Sequence, residues 1–242
     1  MAATPETGYL ILADLTGYTA YLAGSELEHT PIIADDLLET IVGRLDPPFQ
    51  LAKFEGDAGF LFVEDGRADG SLLIDAIEAS YLAFRRRLRS IDAATSCDRA
   101  SCRLAPRLDL KLFVHHGSYV HSRIAGRDEL AGSDVILVHR LLRGTVAAQA
   151  RTAGFALFTA AAVEALGLDP AAFGLTAAVE SIEHLGRVPT FLWGLETRWQ
   201  AESGRRRQDA MDGDIVVDVE ATLAAEPAVV WAHLTNPALR SQ

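Results

Sequence analysis

Positive charge, cysteine and long apolar runs are all scarce in this sequence, and each shortage excludes a class of protein. The chain has 22 Lys and Arg residues against 33 Asp and Glu, so its formal net charge is -11 and it would repel a nucleic-acid backbone. No run of about 18 consecutive apolar residues exists, although a membrane-spanning helix requires one. The N-terminal residues MAATPETG lack the charged and apolar regions of a signal peptide. We therefore expect a cytoplasmic protein that binds neither nucleic acid nor membrane.

The two cysteines, Cys97 and Cys102, lie close together in a polar stretch. Their spacing occurs in half of a zinc site and in redox pairs, but two ligands alone do not hold a structural zinc ion firmly. Reduced thiols in a loop are the simpler interpretation, and both alternatives stay open.

Apolar periodicity predicts alternating strands and helices in a chain long enough for one full-sized core and a small appendage. Helical spacing covers residues 28–45, 70–91, 133–148 and 160–172. Strand-like segments are residues 9–13, 49–54, 59–63, 108–114, 119–124, 155–158, 177–184 and 189–195. Segments paired as hairpins require antiparallel neighbours, whereas the intervening helices supply crossovers. This order predicts an α+β fold with a mixed sheet.

Composition divides the chain into three parts. Residues 1–200 contain the elements of a first domain, and residues 201–213 are polar and lose periodicity, which is typical of a linker. Residues 214–222 alternate as a strand, and a short helix is predicted around Pro227. Residues 214–242 are too few to build a core of their own, so they would begin a second domain or pack on the first.

Two aspartates occupy positions that suit metal and phosphate binding. Asp14 follows an apolar segment and precedes a turn into a helix, so its carboxylate would share a space with the free backbone N–H groups of Gly17, Tyr18 and Thr19. Asp57 lies at the tip of a predicted hairpin. If the two strands are neighbours, the carboxylates supply the hard oxygen ligands that Mg²⁺ or Mn²⁺ prefers. Taken alone, each aspartate is more typical of an ordinary turn.

The contexts of these aspartates, DLTGYT at residues 14–19 and KFEGD at residues 53–57, resemble the two metal-binding motifs of class III adenylate and guanylate cyclases. The resemblance runs in order along most of residues 7–196. It implies a ferredoxin-like mixed sheet with flanking helices, of the class III nucleotidyl cyclase type. It also implies that Asp14 and Asp57 hold two metal ions, Mg²⁺ or Mn²⁺, with the Leu15 carbonyl as a further ligand.

The resemblance assigns nucleotide contacts as well. It implies that Lys53 and Glu129 read the base, and a donor beside an acceptor suits adenine best, while cytosine and guanine stay open. It implies that Arg140 binds phosphate and stabilises the leaving pyrophosphate, with Arg187 replacing a second phosphate-binding lysine. Gly117 would occupy a turn within LKLFVHHGSYVHSRIAG.

The activity implied is conversion of a nucleoside triphosphate, ATP first, to a 3′,5′-cyclic monophosphate and pyrophosphate. The site would lie between two chains arranged head to tail, with the metals on one and Lys53, Glu129 and Arg140 on the other. One position departs from the family: Ile136 stands where an asparagine contacts the ribose. Losing such a hydrogen bond in a transition state costs ~2.7–4 kcal/mol. The alternative is therefore a catalytically weak or inactive nucleotide-binding regulatory module.

The C-terminal segment DVEATLAAEPAVVWAHLTNPALR resembles the opening strand and helix of START-like (SRPBCC) domains related to polyketide cyclases. Only that opening is present. The resemblance implies, as a hypothesis, a second domain that would bind a hydrophobic ligand if complete, in a protein with a signalling architecture.

Overall fold

Strands and helices alternate along the chain in a computed structural model that describes residues 4–25, 30–94, 100–149 and 154–211. The strands are β1 Glu6–Thr16, β2 Gln50–Glu55, β3 Ala58–Glu64, β4 Asp109–Ile124, β5 Arg127–Ala131, β6 Phe155–Thr159, β7 Thr176–Ile182 and β8 Gly186–Gly194. The helices are α1 Tyr18–Gly24, α2 Thr30–Leu45, α3 Gly70–Ala94, α4 Ala100–Leu104, α5 Ser133–Leu141, α6 Thr145–Gln149, α7 Ala160–Ala165 and α8 Leu195–Met211. A 3-10 turn, Ala105–Arg107, follows α4.

The strands form one mixed sheet in the order β2-β3-β1-β4-β6-β8-β7, and β5 pairs with β4. Neighbouring strands are antiparallel, with the exception of β4 and β6, which run parallel. The hairpins account for the antiparallel pairs, and α5 and α6 provide the crossover between β4 and β6. The predicted α+β fold with a mixed sheet is confirmed.

Both faces of the sheet are buried, as the side chains of β1 show by pointing alternately to the two faces. Ile11 and Leu15 face the core formed with α2 and α3, while Leu10 and Leu12 face the second core formed with α5 and α6. Side chains of a strand alternate between faces, so an apolar run of this kind is buried on both sides. Full burial of one such side chain contributes roughly 1.5–3 kcal/mol, which makes β1 a strongly held support for the residues at its end.

Four expectations about individual elements are wrong. Asp14 does not end its strand, because β1 continues to Thr16 and pairs there with Asp109. The turn expected at Gly117 is absent, because β4 is continuous through it and pairs along its length with β1. The helix expected over 133–148 is divided into α5 and α6, and the helix expected over 160–172 ends at Ala165.

The segment predicted to be a linker is largely helical, because α8 continues to Met211. Its sequence is rich in Arg, Gln, Ala and Glu, which are strong helix formers even where no apolar face is present. The chain divides into two units, Met1–Glu202 and Ser203–Gln242, and the strands of the described residues lie in the first. The START-like segment 214–242 lies outside the described residues and stays a prediction, as does the role of Cys97. In the described part of the chain, no helix is long and apolar enough to cross a membrane.

Candidate functional site

Asp14 and Asp57 are brought together by the pairing of β1 with β3. Asp14 lies opposite Ala58 of β3, the residue that follows Asp57. The backbone N–H of Leu15 donates to the Asp57 carbonyl oxygen over 3.1 Å, which fixes the tip of the β2–β3 hairpin against the end of β1. The fold therefore places the two predicted metal-binding carboxylates at one end of the central strands.

The two carboxylates repel each other. Burial raises the pKa of the Asp14 carboxyl to about 6, and the negative charge of Asp57 acts in the same direction, while Lys111 opposes both. A half-buried carboxylate beside a second one is poorly satisfied without a cation. The electrostatics of this pair therefore fit a divalent metal with hard oxygen ligands.

Substituting Asp14 with asparagine is expected to stabilise the metal-free protein above pH 6. The raised pKa means that the native state loses stability as pH rises from the unfolded value near 3.8 through the folded value near 6. Asparagine carries no charge and avoids this loss, so the free energy of unfolding should rise by about 1–2 kcal/mol after allowance for solvent screening. Thermal unfolding at pH 4 and pH 8 in EDTA measures the effect.

The gain should be much smaller at pH 4, where the native aspartate is protonated and the unfolded one, with a pKa near 3.8, is only partly ionised. Asp65→Asn is the matched control, because that exposed aspartate pairs with His116 away from the two carboxylates. Mn²⁺ should stabilise the wild type at pH 8 and fail to stabilise the asparagine variant. An equal change at both pH values would show that the Asp14 environment is not electrostatically unfavourable.

Lys111 joins this site, and sequence reasoning missed it. It lies opposite Asp14 in the β1–β4 ladder, and its charge lowers the pKa of that aspartate. The chain has only two lysines, Lys53 and Lys111, and each lies beside a predicted site residue. The scarcity of lysine was the signal that the sequence offered for Lys111, because the other basic side chains are arginines and histidines.

Lys53 and Glu129, which are far apart in sequence, are in direct contact. The Lys53 ammonium donates to Glu129 Oε2 over 2.7 Å. β2 carries the lysine, and β5, folded back on β4, carries the glutamate. The pair lines a cavity of about 380 Å³ whose other walls are formed by Gln50, Leu51, Ala52, Phe62, His121, Asp128 and Leu130. The two residues predicted to read the base therefore meet at a cavity within one chain.

Glu55 and His139 extend this contact to α5, and neither was predicted. Glu55 Oε1 lies 2.9 Å from the Lys53 ammonium, and its Oε2 lies 2.9 Å from His139 Nε2. Hydrogen bonds to Glu129 and Glu55 raise the pKa of Lys53. Burial would raise the pKa of Glu55, but Lys53 and His139 together outweigh it and lower that pKa. The lysine is held charged, and the helix that carries Arg140 is tied to β2.

The start of α5 is anchored to β4 by polar contacts around Gly117. Asp134 Oδ2 accepts from the backbone N–H of Ser118 over 2.7 Å, and Asp134 Oδ1 lies 3.3 Å from His115 Nε2. His115 Nδ1 in turn lies 2.8 Å from Thr159 Oγ1. A Cβ on Gly117 would lie 2.5 Å from Asp134 Cγ, so glycine is required for this close approach rather than for a turn. Sequence reasoning did not assign the His115–Asp134 contact.

Arg140 and Ile136 lie on one exposed side of α5. They are four residues apart in this helix, and side chains at that spacing are neighbours. The Ile136 side chain is 55% exposed, although it is large and apolar. The nearest acid to Arg140 is Glu183, at 4.0 Å and exposed itself. Both α5 residues therefore face away from the sheet of their own chain.

The remaining predicted residues take simpler positions. Gly17 has a φ of 91°, which glycine adopts readily, and it precedes the short helix that contains Tyr18 and Thr19. Arg187 is exposed at the start of β8, opposite Ser181 in the terminal hairpin. The described contacts thus unite Asp14 with Asp57, and Lys53 with Glu129, and they do not join Arg140 or Arg187 to either pair.

A metal site made wholly of side chains is not formed in the described part of the chain. It contains no group of three or more His, Cys, Asp and Glu residues that could hold a metal ion. Asp14, Asp57 and a backbone carbonyl would supply too few ligands alone, so ligand oxygens would have to complete the shell. Such a donor set is typical of Mg²⁺ bound together with a phosphate substrate.

Comparisons with known proteins divide into sequence and structure. The family model described as "Protein of unknown function (DUF2652)" matches residues 34–150. The "Uncharacterized protein Rv2561/Rv2562" of Mycobacterium tuberculosis is 36% identical over 110 residues, which are 46% of this chain and 51% of that protein. This chain therefore spans about half the length of the curated relative it matches.

Solved structures of cyclases share the fold. The adenylyl cyclase CyaB from P. aeruginosa superposes with a TM-score of 0.58 at 15% identity, covering 79% of this chain and 95% of that one. The guanylyl cyclase Cya2 superposes with a TM-score of 0.57 at 14% identity, covering 79% and 93%. Similarity at this identity shows the fold alone. It confirms the predicted nucleotidyl cyclase type of fold.

Proposed function

We propose that this chain binds a nucleoside triphosphate with divalent metal ions and converts it, with ATP preferred, to a 3′,5′-cyclic nucleotide and pyrophosphate. The observation that carries the proposal is the 2.7 Å contact between Lys53 and Glu129 at the edge of a cavity. The resemblance assigns these two residues to base reading from their motifs, with no knowledge of the fold. Their meeting in three dimensions is independent support.

The donor pattern of this pair favours adenine. The Lys53 ammonium has three N–H groups, and two of them meet Glu129 and Glu55, which leaves one for an acceptor such as N1 of adenine. Glu129 uses Oε2 for the lysine, so Oε1 can accept from the exocyclic amine. Cytosine offers a similar pattern and guanine can donate to a carboxylate, so competition between the four triphosphates decides the base.

Asp14, Asp57 and the Leu15 carbonyl would hold Mg²⁺ or Mn²⁺, and the repulsion between the two carboxylates supports this assignment. When bound, the metal ions would neutralise the triphosphate and favour ionisation of the 3′-hydroxyl. Lys111, opposite Asp14, adds a positive charge near this pair, and its ammonium donates to the Ala147 carbonyl of α6 over 3.3 Å. The N–H groups of the turn at Gly17, Tyr18 and Thr19 can donate to phosphate oxygens.

At the α-phosphorus, the reaction forms one bond and breaks one. The ribose 3′-oxygen attacks the α-phosphorus, its proton passes to water, and the bond between the α-phosphorus and the bridging oxygen breaks to release pyrophosphate. Arg140, with Arg187 as the second cation, would stabilise the charge that develops on the leaving group. Lys53 and Glu129 hold the base, so the ribose is oriented from the far end of the nucleotide.

A second copy of the chain would complete the site. Arg140 and Ile136 are exposed and face away from the sheet that carries Asp14 and Asp57. A head-to-tail homodimer would bring Lys53, Glu129 and Arg140 of one copy to the two aspartates of the other. The proposal therefore includes dimerisation as a requirement for turnover.

A catalytically weak or inactive regulatory module is the second candidate. Ile136 favours it, because an exposed isoleucine offers no hydrogen bond at the position from which the ribose would be oriented. This candidate predicts nucleotide binding that requires metal but gives no product. Both candidates use the same aspartates, so binding and turnover must be measured separately.

The test incubates the purified chain with each of ATP, GTP, CTP and UTP plus Mn²⁺ and detects cyclic monophosphates by mass spectrometry. Asp57→Asn keeps the size of the side chain and removes its charge, so we expect it to reduce product at least 100-fold, as loss of an electrostatic contact to the transition state does. Asp65→Asn is the matched control and should leave the rate unchanged.

Calorimetric titration with a non-hydrolysable triphosphate completes the design. Binding that requires Mn²⁺ and Asp57, without cyclic product at high protein concentration, would establish the regulatory module and overturn the enzyme. Absence of both binding and product would overturn the nucleotide site altogether.

A further inference from the structure

A second cavity lies behind α1, on the other side of the turn that follows Asp14. Its volume is about 340 Å³, within the range of small-molecule sites, and its walls are mostly apolar. One side is formed by Gly17 and by Ala20, Tyr21 and Gly24 of α1, and the other by Leu104 at the end of α4 and by Arg107 and Leu108 after it. None of these side chains takes part in base reading or metal binding as proposed above.

Close approach of α1 to α4 gives the cavity its shape. A Cβ on Gly24 would lie 2.7 Å from Leu104 Cδ1, so a larger residue there would require the Leu104 side chain to shift. The buried ring of Tyr21 lines the cavity, and Ala20 and Gly24 keep the α1 side of it free of bulk. The result is a compact space with an aromatic wall, which suits a ring system better than an extended chain.

Arg107 gives the cavity one positive charge. Two arginines of the neighbouring α3 are paired, Arg85 with Glu196 and Arg87 with Asp36. Arg107 is exposed and has no ion pair with any acid of the described residues. In a chain with a net charge of -11, this exposed guanidinium at the edge of an apolar cavity is available to an anion.

We propose that this cavity binds a compact aromatic or alicyclic molecule that carries one carboxylate, with the ring system against Tyr21 and the carboxylate on Arg107. The apolar walls account for the ring, and the guanidinium accounts for the anion, because its planar N–H groups match a carboxylate. The cavity also contacts Gly17, so an occupant would lie against the backbone of the turn that leads from Asp14 into α1.

Calorimetric titration with 2-naphthoate and with the uncharged 2-naphthylmethanol tests the proposal without any nucleotide or metal. We expect saturable binding of one naphthoate per chain and roughly five- to tenfold weaker binding of the alcohol, as loss of one partly exposed charge contact implies. Arg107→Gln should weaken naphthoate binding by the same factor and leave the alcohol unaffected. Arg103→Gln, an exposed arginine of α4 outside the cavity, is the matched control.

Ala20→Trp should fill the cavity and abolish binding of both compounds. Ala23→Trp adds the same ring to the exposed side of α1, outside the cavity, and this variant should bind naphthoate normally. The comparison separates filling of the cavity from a general effect of tryptophan on the helix. Absence of saturable naphthoate binding by a folded wild type would overturn the proposal. Binding unaffected by Ala20→Trp, or equal for the acid and the alcohol, would overturn it as well. Failure here leaves the nucleotide proposal intact, because the two sites share no binding side chain.

Discussion

Replacing Ile136 with asparagine is expected to raise the rate of cyclic nucleotide formation by roughly 10²-fold or more, the reverse of the loss caused by removing one transition-state hydrogen bond. The asparagine amide would lie one turn before Arg140 on the same side of α5, where it can reach a ribose. The position is solvent-exposed, so the substitution should change the free energy of unfolding by less than about 0.5 kcal/mol. The measurement is the turnover number with saturating ATP and Mn²⁺.

Ile136→Ala separates the amide from simple removal of an apolar side chain. It clears the same space without supplying a hydrogen bond, so its rate should stay near that of the wild type. An asparagine variant no faster than the alanine variant would contradict the role given to position 136. Equal nucleotide affinity in all three proteins would show that the gain lies in the transition state and not in binding.

The second large effect concerns stability and centres on Glu180, a fully buried carboxylate in β7. Its Oε2 accepts from the backbone N–H and the hydroxyl of Thr145, at 2.8 and 3.0 Å, and its Oε1 accepts from the Val146 N–H at 2.7 Å. These are the first N–H groups of α6, which have no partner within the helix itself. A Cβ on Gly144 would lie 2.3 Å from Oε1, so glycine makes room for the carboxylate and separates α5 from α6.

Glu180→Gln is expected to lower the free energy of unfolding by about 2–4 kcal/mol, because an amide nitrogen cannot accept from the N–H that it would then face. For a domain of this size that corresponds to a drop in Tm of roughly 5–15 °C. Scanning calorimetry measures it. Glu183→Gln, on the exposed turn of the same hairpin, is the matched control and should shift Tm by no more than about 2 °C. Similar melting of the two variants would show that the cap on α6 contributes little.

Local sequence was sufficient for the elements with strong periodicity. α2, α3 and the β2–β3 hairpin were predicted close to their observed bounds, because amphipathic spacing and turn residues act within a few positions. Local sequence failed to predict the elements whose bounds depend on a partner that is distant along the chain. The strand through Gly117 depends on pairing with β1, and the division between α5 and α6 depends on a glutamate of β7. Neither partner is visible from the segment itself.

The candidate site shows the same division. Motifs identified Asp14, Asp57, Lys53, Glu129 and Arg140 as residue types suited to metal, base and phosphate, because chemistry of that kind is carried by the side chain alone. They did not identify Lys111, Glu55 or His139, each of which gains its position from strand register or helix packing.

The sequence by itself therefore determined the α+β class, since composition, periodicity and side-chain type are local properties, and it supplied the residues for which metal, base and phosphate roles are proposed. Only the tertiary structure decided that Lys53 meets Glu129, that burial and the charge of Asp57 raise the pKa of Asp14, and that Lys111 lies opposite Asp14. It alone also formed the cavity behind α1. These distances and pKa shifts involve groups that are far apart along the chain. The order of the strands in the sheet brings them together, and that order is a property of the whole domain.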